Sequence, residues 1–297
     1  MVISGKEESI KQINEQYISS LLSGKNFKDE NFPVASFVIK KKIRKIIRLF
    51  YFFARTSDDI ADNKDIKSKE KLKILNYFDN CLKTQEKTKI DILKKLISNF
   101  THIKFAKKYA RQLLVAFKLD AKKNRYNDWG ELIYYCKYSA NPIGRFFIEL
   151  TYLSKKLEIK DKKIIFKASD NLCTALQIIN HMQDCQEDFV NLNRIYIPNS
   201  YFKKYTVGIN ILKTEKKSLK FDKLKEEIIN KVGKLLDNST IGLKSIEIWS
   251  LKKEALIILN IAKRLCFLLK QKNPLEKKIK LSRIDLIFCF IKGIIYD

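Results

Sequence analysis

A chain of 297 residues with 45% apolar and 31% charged side chains can bury a large core, which excludes a disordered polypeptide. Only 8 Gly and 4 Pro punctuate it, so long helices in an all-α fold are the expectation. The net charge of +27 first suggests nucleic acid or an anionic surface, but the lysines are spread through every helix and linker with no compact Arg-rich block. No nucleic-acid partner is therefore expected, and the charge is left to anionic lipid or a phosphorylated substrate.

Cys81, Cys136, Cys173, Cys185, Cys266 and Cys289 show no CxxC spacing and mostly sit in apolar helical patterns. Reduced, buried thiols in a cytoplasmic protein are expected rather than disulfides or zinc. His102 and His181 are too few for a His-rich metal site. Residues 1–16 are polar and of mixed charge, unlike a signal peptide. The most apolar late run, 284–296, is too short to span a bilayer and contains Lys292; at most its face rests against a membrane.

In chain order, Ile10, Ile13, Tyr17, Ile18 and Leu21 give residues 9–22 helical spacing. A loop follows, and the segment Glu30-Asn31-Phe32-Pro33-Val34-Ala35-Ser36 leads into a long helix ending near Asp62. Ser36 and the free backbone N–H groups of a helix start would cradle a phosphate. Taken alone, Ser36 reads as an ordinary N-cap. Further along this helix, Tyr51, Arg55, Asp58 and Asp62 fall within an arc of about 60°. Two carboxylates one turn apart repel unless a cation lies between them, and hard oxygen ligands suit Mg²⁺. Read singly, the string also describes a solvated acidic face.

After a turn at 63–68, helices are expected at 69–82, 90–100 and 105–121, with apolar stripes and Lys-rich outer faces that mark them as scaffold. Residues 128–154 are apolar nearly all round and are expected deep inside, as a helix interrupted at Asn141-Pro142-Ile143-Gly144. Pro142 would kink the axis and Gly144 would admit close approach, making room for a bulky ligand. Tyr135 lies on this helix and by itself reads as a core tyrosine with a hydrogen-bond partner.

Residues 162–192 read as one more long helix, on which Gln177, Asn180, Asp184 and Asp188 fall within about 80°, with Glu187 at the edge. Asn193-Arg194-Ile195-Tyr196 follows directly. Two copies of metal-type spacing, each with an Arg and a Tyr nearby, are hard to attribute to surface decoration. If the two helices run antiparallel, their four carboxylates face across one cavity and hold a metal cluster against a diphosphate. A Lys-rich loop and helices near 221–236, 250–270 and 281–296 would close the bundle, with Lys277-Lys278-Ile279-Lys280 as a solvated linker.

Together these motifs resemble the squalene/phytoene synthase family of all-α isoprenoid synthases, firmly from about residue 30 to 198. The family's first motif, aromatic-xxx-Arg-xx-Asp-xxx-Asp, matches Tyr51, Arg55, Asp58 and Asp62; the second matches Asn180, Asp184 and Asp188, followed by Arg194 and Tyr196. The buried tyrosine helix matches Tyr135-Cys136 through Gly144. Ser139-Ala140-Asn141-Pro142 and the 30–36 segment look like the hydroxysqualene synthase branch of the bacterial hopanoid route, and Asn193 stands where many relatives have Gly.

The resemblance implies a single helical bundle over 1–297 around a central apolar cavity, with a motif-bearing core at about 30–200 and closing helices at about 215–297. It implies Mg²⁺ held by Asp58, Asp62, Asn180, Asp184 and Asp188. Ser36, Gln177, Arg194 and Tyr196 would bind substrate, and Tyr135, Tyr51 and Arg55 would serve catalysis. The expected substrate is presqualene diphosphate, with water rather than NADPH-derived hydride ending the reaction. Condensation of two farnesyl diphosphates is the alternative, phytoene synthesis less so, and a non-catalytic isoprenoid-diphosphate or membrane-binding protein is the alternative of another class. Peripheral contact with the inner face of the cell membrane and with neighbouring pathway enzymes would follow.

Overall fold

The computed structural model describes residues 13–24, 41–85, 87–214 and 218–295, and within them the chain is all-α, without a strand. The helices are α1 Glu15–Ser20, α2 Lys41–Asp62, α3 Ser68–Thr84, α4 Asp91–Phe100, α5 Lys104–Asp120, α6 Trp129–Ser139 and α7 Asn141–Lys155. They continue with α8 Lys162–Gln183, α9 Cys185–Leu192, α10 Asn199–Lys204, α11 Leu219–Lys244, α12 Trp249–Gln271 and α13 Arg283–Ile295. The expected phosphate cradle at Ser36 and the rest of the 30–36 segment lie outside the described residues.

Two of the expected long helices are each two. The 128–154 segment breaks at Ala140 (φ −124°, ψ −47°), which places Pro142 in the first turn of α7, where its missing N–H costs nothing. The proline therefore starts a helix rather than kinking one. Nor does this segment lie deep inside on every side: its apolar Tyr134, Ile143 and Leu153 are exposed. The 162–192 segment breaks at Asp184 (φ −104°, ψ 8°), between α8 and α9. The helical wheel drawn across that break does not hold for Asp188.

α8 runs through the middle, packed against α6, α7, α11 and α12. Its contact with α7 is tight at Gly144, where a Cβ would collide with Ser169 Oγ and Cys173 Sγ. We expect Gly144→Ala to cost about 1–3 kcal/mol through overpacking, read as a lower Tm. A melt indistinguishable from the parent would mean that Ser169 and Cys173 turn aside freely. All six cysteines are unpaired and, apart from the half-buried Cys173, buried.

Between α7, α8, α11 and α12 lies a cavity of about 320 Å³ with a mainly apolar lining. Phe147, Leu172, Leu176 and Leu251 are among its walls, and Gln177 and Asn180 present amides along its α8 side. α8 carries those amides on towards Asp184, so the apolar space and the acidic motifs share one helix.

Candidate active site

α2 ends where its last turn meets side chains of other elements. The Lys71 ammonium donates to the Ala61 carbonyl, and the Asp65 N–H donates to Asn63 Oδ1, closing the turn that follows. This fixes Asp58 and Asp62, one turn apart, at the C-terminal end of α2. Arg55 reaches Asp58 at 3.2 Å and Asp59 at 2.8 Å, and Asp59 also accepts from the Ser23 backbone and hydroxyl. Tyr51 sits one turn before Arg55, half-buried, its ring 5.8 Å from that of Phe52.

The second wall is built by an extended strap. After α9, Asn193 takes the left-handed conformation (φ 50°), which asparagine tolerates better than most residues. The Ile195 N–H then donates to the Asn124 carbonyl at 2.9 Å, and the Asn199 N–H to Tyr126. Side chains alternate along extended backbone, so Arg194 and Tyr196 point to the same side.

There Arg194 ties the walls together. Its Nη1 donates to Asp62 Oδ1 at 2.7 Å and to Tyr196 Oη at 3.3 Å, and its Nη2 to the Asp120 carbonyl at 3.2 Å. Asp120, the last residue of α5, accepts from Tyr135 Oη at 2.8 Å and from Tyr196 Oη at 2.9 Å. Tyr135 thus has its partner, in a buried layer where the His181 ring also stacks on Tyr196 at 3.5 Å. Burial, and then the nearby Arg194 charge, hold His181 down to about 3, so its imidazole is neutral. Gln177 bonds its Nε2 at 3.2 Å.

The site is over-supplied with negative charge. Burial and then the Asp62 carboxylate push Asp58 well above the usual carboxylate range, against the pull of Arg55. Burial and then Asp184 push Asp188 up to about 8, with Asp62 of the opposite wall adding to it. Asp120 is raised to about 6 by burial, against Arg194. Asp184 faces the Lys278 ammonium at 2.6 Å.

Among the described residues no three His, Cys, Asp or Glu side chains are gathered into a ready ion cage. Instead, Arg55, Arg194 and Lys278 occupy Asp58, Asp62 and Asp184 respectively. The chemistry of the donors nevertheless fits a hard divalent cation, because buried carboxylates that raise one another lack positive charge.

Over residues 26–285 the sequence matches the squalene/phytoene synthase family. The chain belongs to that family. A hydroxysqualene synthase from Zymomonas mobilis is 34% identical over 293 residues, 97% of this chain and 96% of the relative. One from Sinorhizobium fredii is 34% identical over 260 residues, 88% and 86% of the two chains. Among solved structures, a dehydrosqualene synthase in complex with ligand superposes with a TM-score of 0.74 at 18% identity, covering 94% of each chain. A squalene synthase from Alicyclobacillus acidocaldarius gives 0.70 at 21% identity, covering 86% of this chain and 92% of the other. The fold is accordingly that of the squalene synthase-type isoprenoid synthases, and the protein is a squalene/phytoene synthase-type enzyme.

Within this family fold, the sequence pattern points neither to Asp120 nor to Lys278, and likewise misses Asp59 beside Arg55 and His181 on Tyr196. Asp120 lies on a helix read as scaffold, although on the wheel it falls on the same side as Leu113 and Phe117, and a carboxylate inside an apolar stripe is a signal of burial. Lys278 belongs to a run read as a solvated linker; it pairs with Asp184 and approaches Glu187 at 3.5 Å, and Gln183 Nε2 donates to the Ile279 carbonyl.

A pH dependence follows from Asp188. Its folded value near 8 lies above the unfolded value of about 3.9, so the folded state holds this proton more tightly. Its contribution to stability is complete below pH ~4 and is lost as pH rises through 8. Metal-free Asp188→Asn should therefore show a flatter decline of stability across that window, measured by urea unfolding at several pH values. An unaltered slope would contradict this assignment.

Proposed function

We propose that the enzyme ionises presqualene diphosphate and that water captures the resulting cation, giving hydroxysqualene. The carbon–oxygen bond to the diphosphate breaks with both electrons leaving on oxygen; the cyclopropylcarbinyl cation rearranges and its three-membered ring opens as water adds to the carbocation and releases a proton. The observation that carries this reading is the Arg194 bridge. It holds the strap after the second acidic motif to Asp62 of the first, within a few ångströms of a buried tyrosine layer. The 34% identity to hydroxysqualene synthases over nearly the whole chain supports the choice of reaction.

Asp58, Asp62, Asp184 and Asp188, with the Asn180 amide, would hold Mg²⁺, which when bound supplies positive charge to the diphosphate oxygens. Arg55, Arg194, Tyr51 and Tyr196 would orient the leaving anion, the role the sequence also gives to Ser36. The cavity beside α8 takes the isoprenoid chains and keeps stray water from the cation. The Tyr135 phenol, held by Asp120 in the buried tyrosine layer, would steady developing positive charge.

The test supplies presqualene diphosphate and, separately, farnesyl diphosphate, each with Mg²⁺ and without NADPH, and identifies products by mass spectrometry. Hydroxysqualene from presqualene diphosphate alone is expected. Presqualene diphosphate formed from farnesyl diphosphate would assign the condensation instead, and no turnover of either would overturn the proposal.

A further inference from the structure

α13 turns an apolar side away from the protein. Its packed side is marked by buried Cys289 and Gly293, and by Asp285, which Arg264 of α12 holds at 2.6 Å. Gly293 lies so close that a Cβ would meet the Ile257 backbone at 2.7 Å. At about 100° per residue, Ile284, Ile287, Phe288, Ile291 and Ile295 fall on the opposite side, within an arc of about 100°. They are 79%, 60%, 62%, 47% and 66% exposed. A helix packed on one side ordinarily shows polar residues on the other. A contiguous apolar face of this kind marks an interaction surface.

Charge decides what covers it. Lys280, Arg283 and Lys292 are exposed on or just before the helix, and the chain carries a net charge of +27. A second copy seated on this face would bring like charge against like charge, whereas an anionic lipid surface answers both the apolar face and its basic flanks. No helix among the described residues is long and apolar enough to cross a membrane. The 13 residues of α13 extend about 20 Å against a hydrocarbon core of about 30 Å.

We propose that α13 seats this protein on an anionic bilayer, lying in the plane of the interface with Ile284, Ile287, Phe288, Ile291 and Ile295 among the acyl chains. The residues leading into it carry the seat to the active site, since Lys278 pairs with Asp184 and the Ile279 carbonyl accepts from Gln183. This proposal is independent of which isoprenoid diphosphate is consumed.

The test is co-sedimentation of the full chain with vesicles of phosphatidylglycerol and phosphatidylcholine, and with phosphatidylcholine alone. The parent should bind the anionic vesicles more strongly, and less so at high salt. The triple variant Ile287→Gln, Phe288→Gln, Ile291→Gln alters only exposed positions and should lose at least about tenfold in partitioning. Its Tm and its turnover of detergent-dispersed substrate should stay unchanged. Equal partitioning of parent and variant, or no binding by the parent, would overturn the proposal. So would a lipid-free dimer, seen by sedimentation velocity, that the variant abolishes, because the face would then belong to a second copy.

Discussion

Asp58→Asn and Asp184→Asn are each expected to lower turnover by about 10²–10³-fold, the range seen when one preorganised electrostatic contact to a developing anion is lost. The two residues lie on different walls, Asp58 on α2 and Asp184 at the break between α8 and α9. If both serve one cation cluster against one diphosphate, removing either already disables the unit, and the double variant should be little worse than the poorer single one. Independent roles would instead multiply. Loss through unfolding is separable. Asp58 is held well above the usual carboxylate range by burial and by Asp62, so a neutral amide there relieves a cost that the parent carries. Asp58→Asn should melt no lower than the parent while turning over far less and needing more Mg²⁺. Full activity in both single variants would refute the metal role.

Helix existence was legible because apolar periodicity and scarce Gly and Pro leave few other readings; α3, α4 and α5 begin and end within two residues of expectation. The break at Asp184 was not legible. Cys185-Gln186-Glu187-Asp188 continues a helical pattern with no proline or glycine, and the ion pair with Lys278 that accompanies the break comes from a distant part of the chain. The break at Ala140 announced itself through Pro142, but a proline inside a helix and a proline beginning the next look alike until the turn before it is seen. At the site, the carboxylate spacing is local and could be read. What could not be read is that Arg194 pairs with Asp62, 132 residues away. Such pairings depend on how α2, α5 and the strap meet, which no window of sequence contains.

That pairing makes Arg194→Gln the most damaging single change to stability. Arg194 is 5% exposed, and its guanidinium faces Asp62 Oδ1 at 2.7 Å and Asp120 Oδ1 at 3.7 Å. Removing one member of a buried ion group leaves the others uncompensated, at a cost of about 3–5 kcal/mol. Arg194→Lys should recover only part of this, because an ammonium has no planar fork to reach the Asp62 carboxylate, the Asp120 carbonyl and the Tyr196 hydroxyl together. The loss also has a pH signature. Asp120 already titrates near 6 with Arg194 pulling it down, and Asp188 near 8 under the same pull. Without the arginine both folded values move higher, and the variant can shed the uncompensated charge by taking up protons. Its deficit in unfolding free energy should therefore be largest at pH 8 and smaller at pH 5. A deficit of equal size at both pH values would mean that Arg194 stabilises the fold by filling space rather than by answering charge.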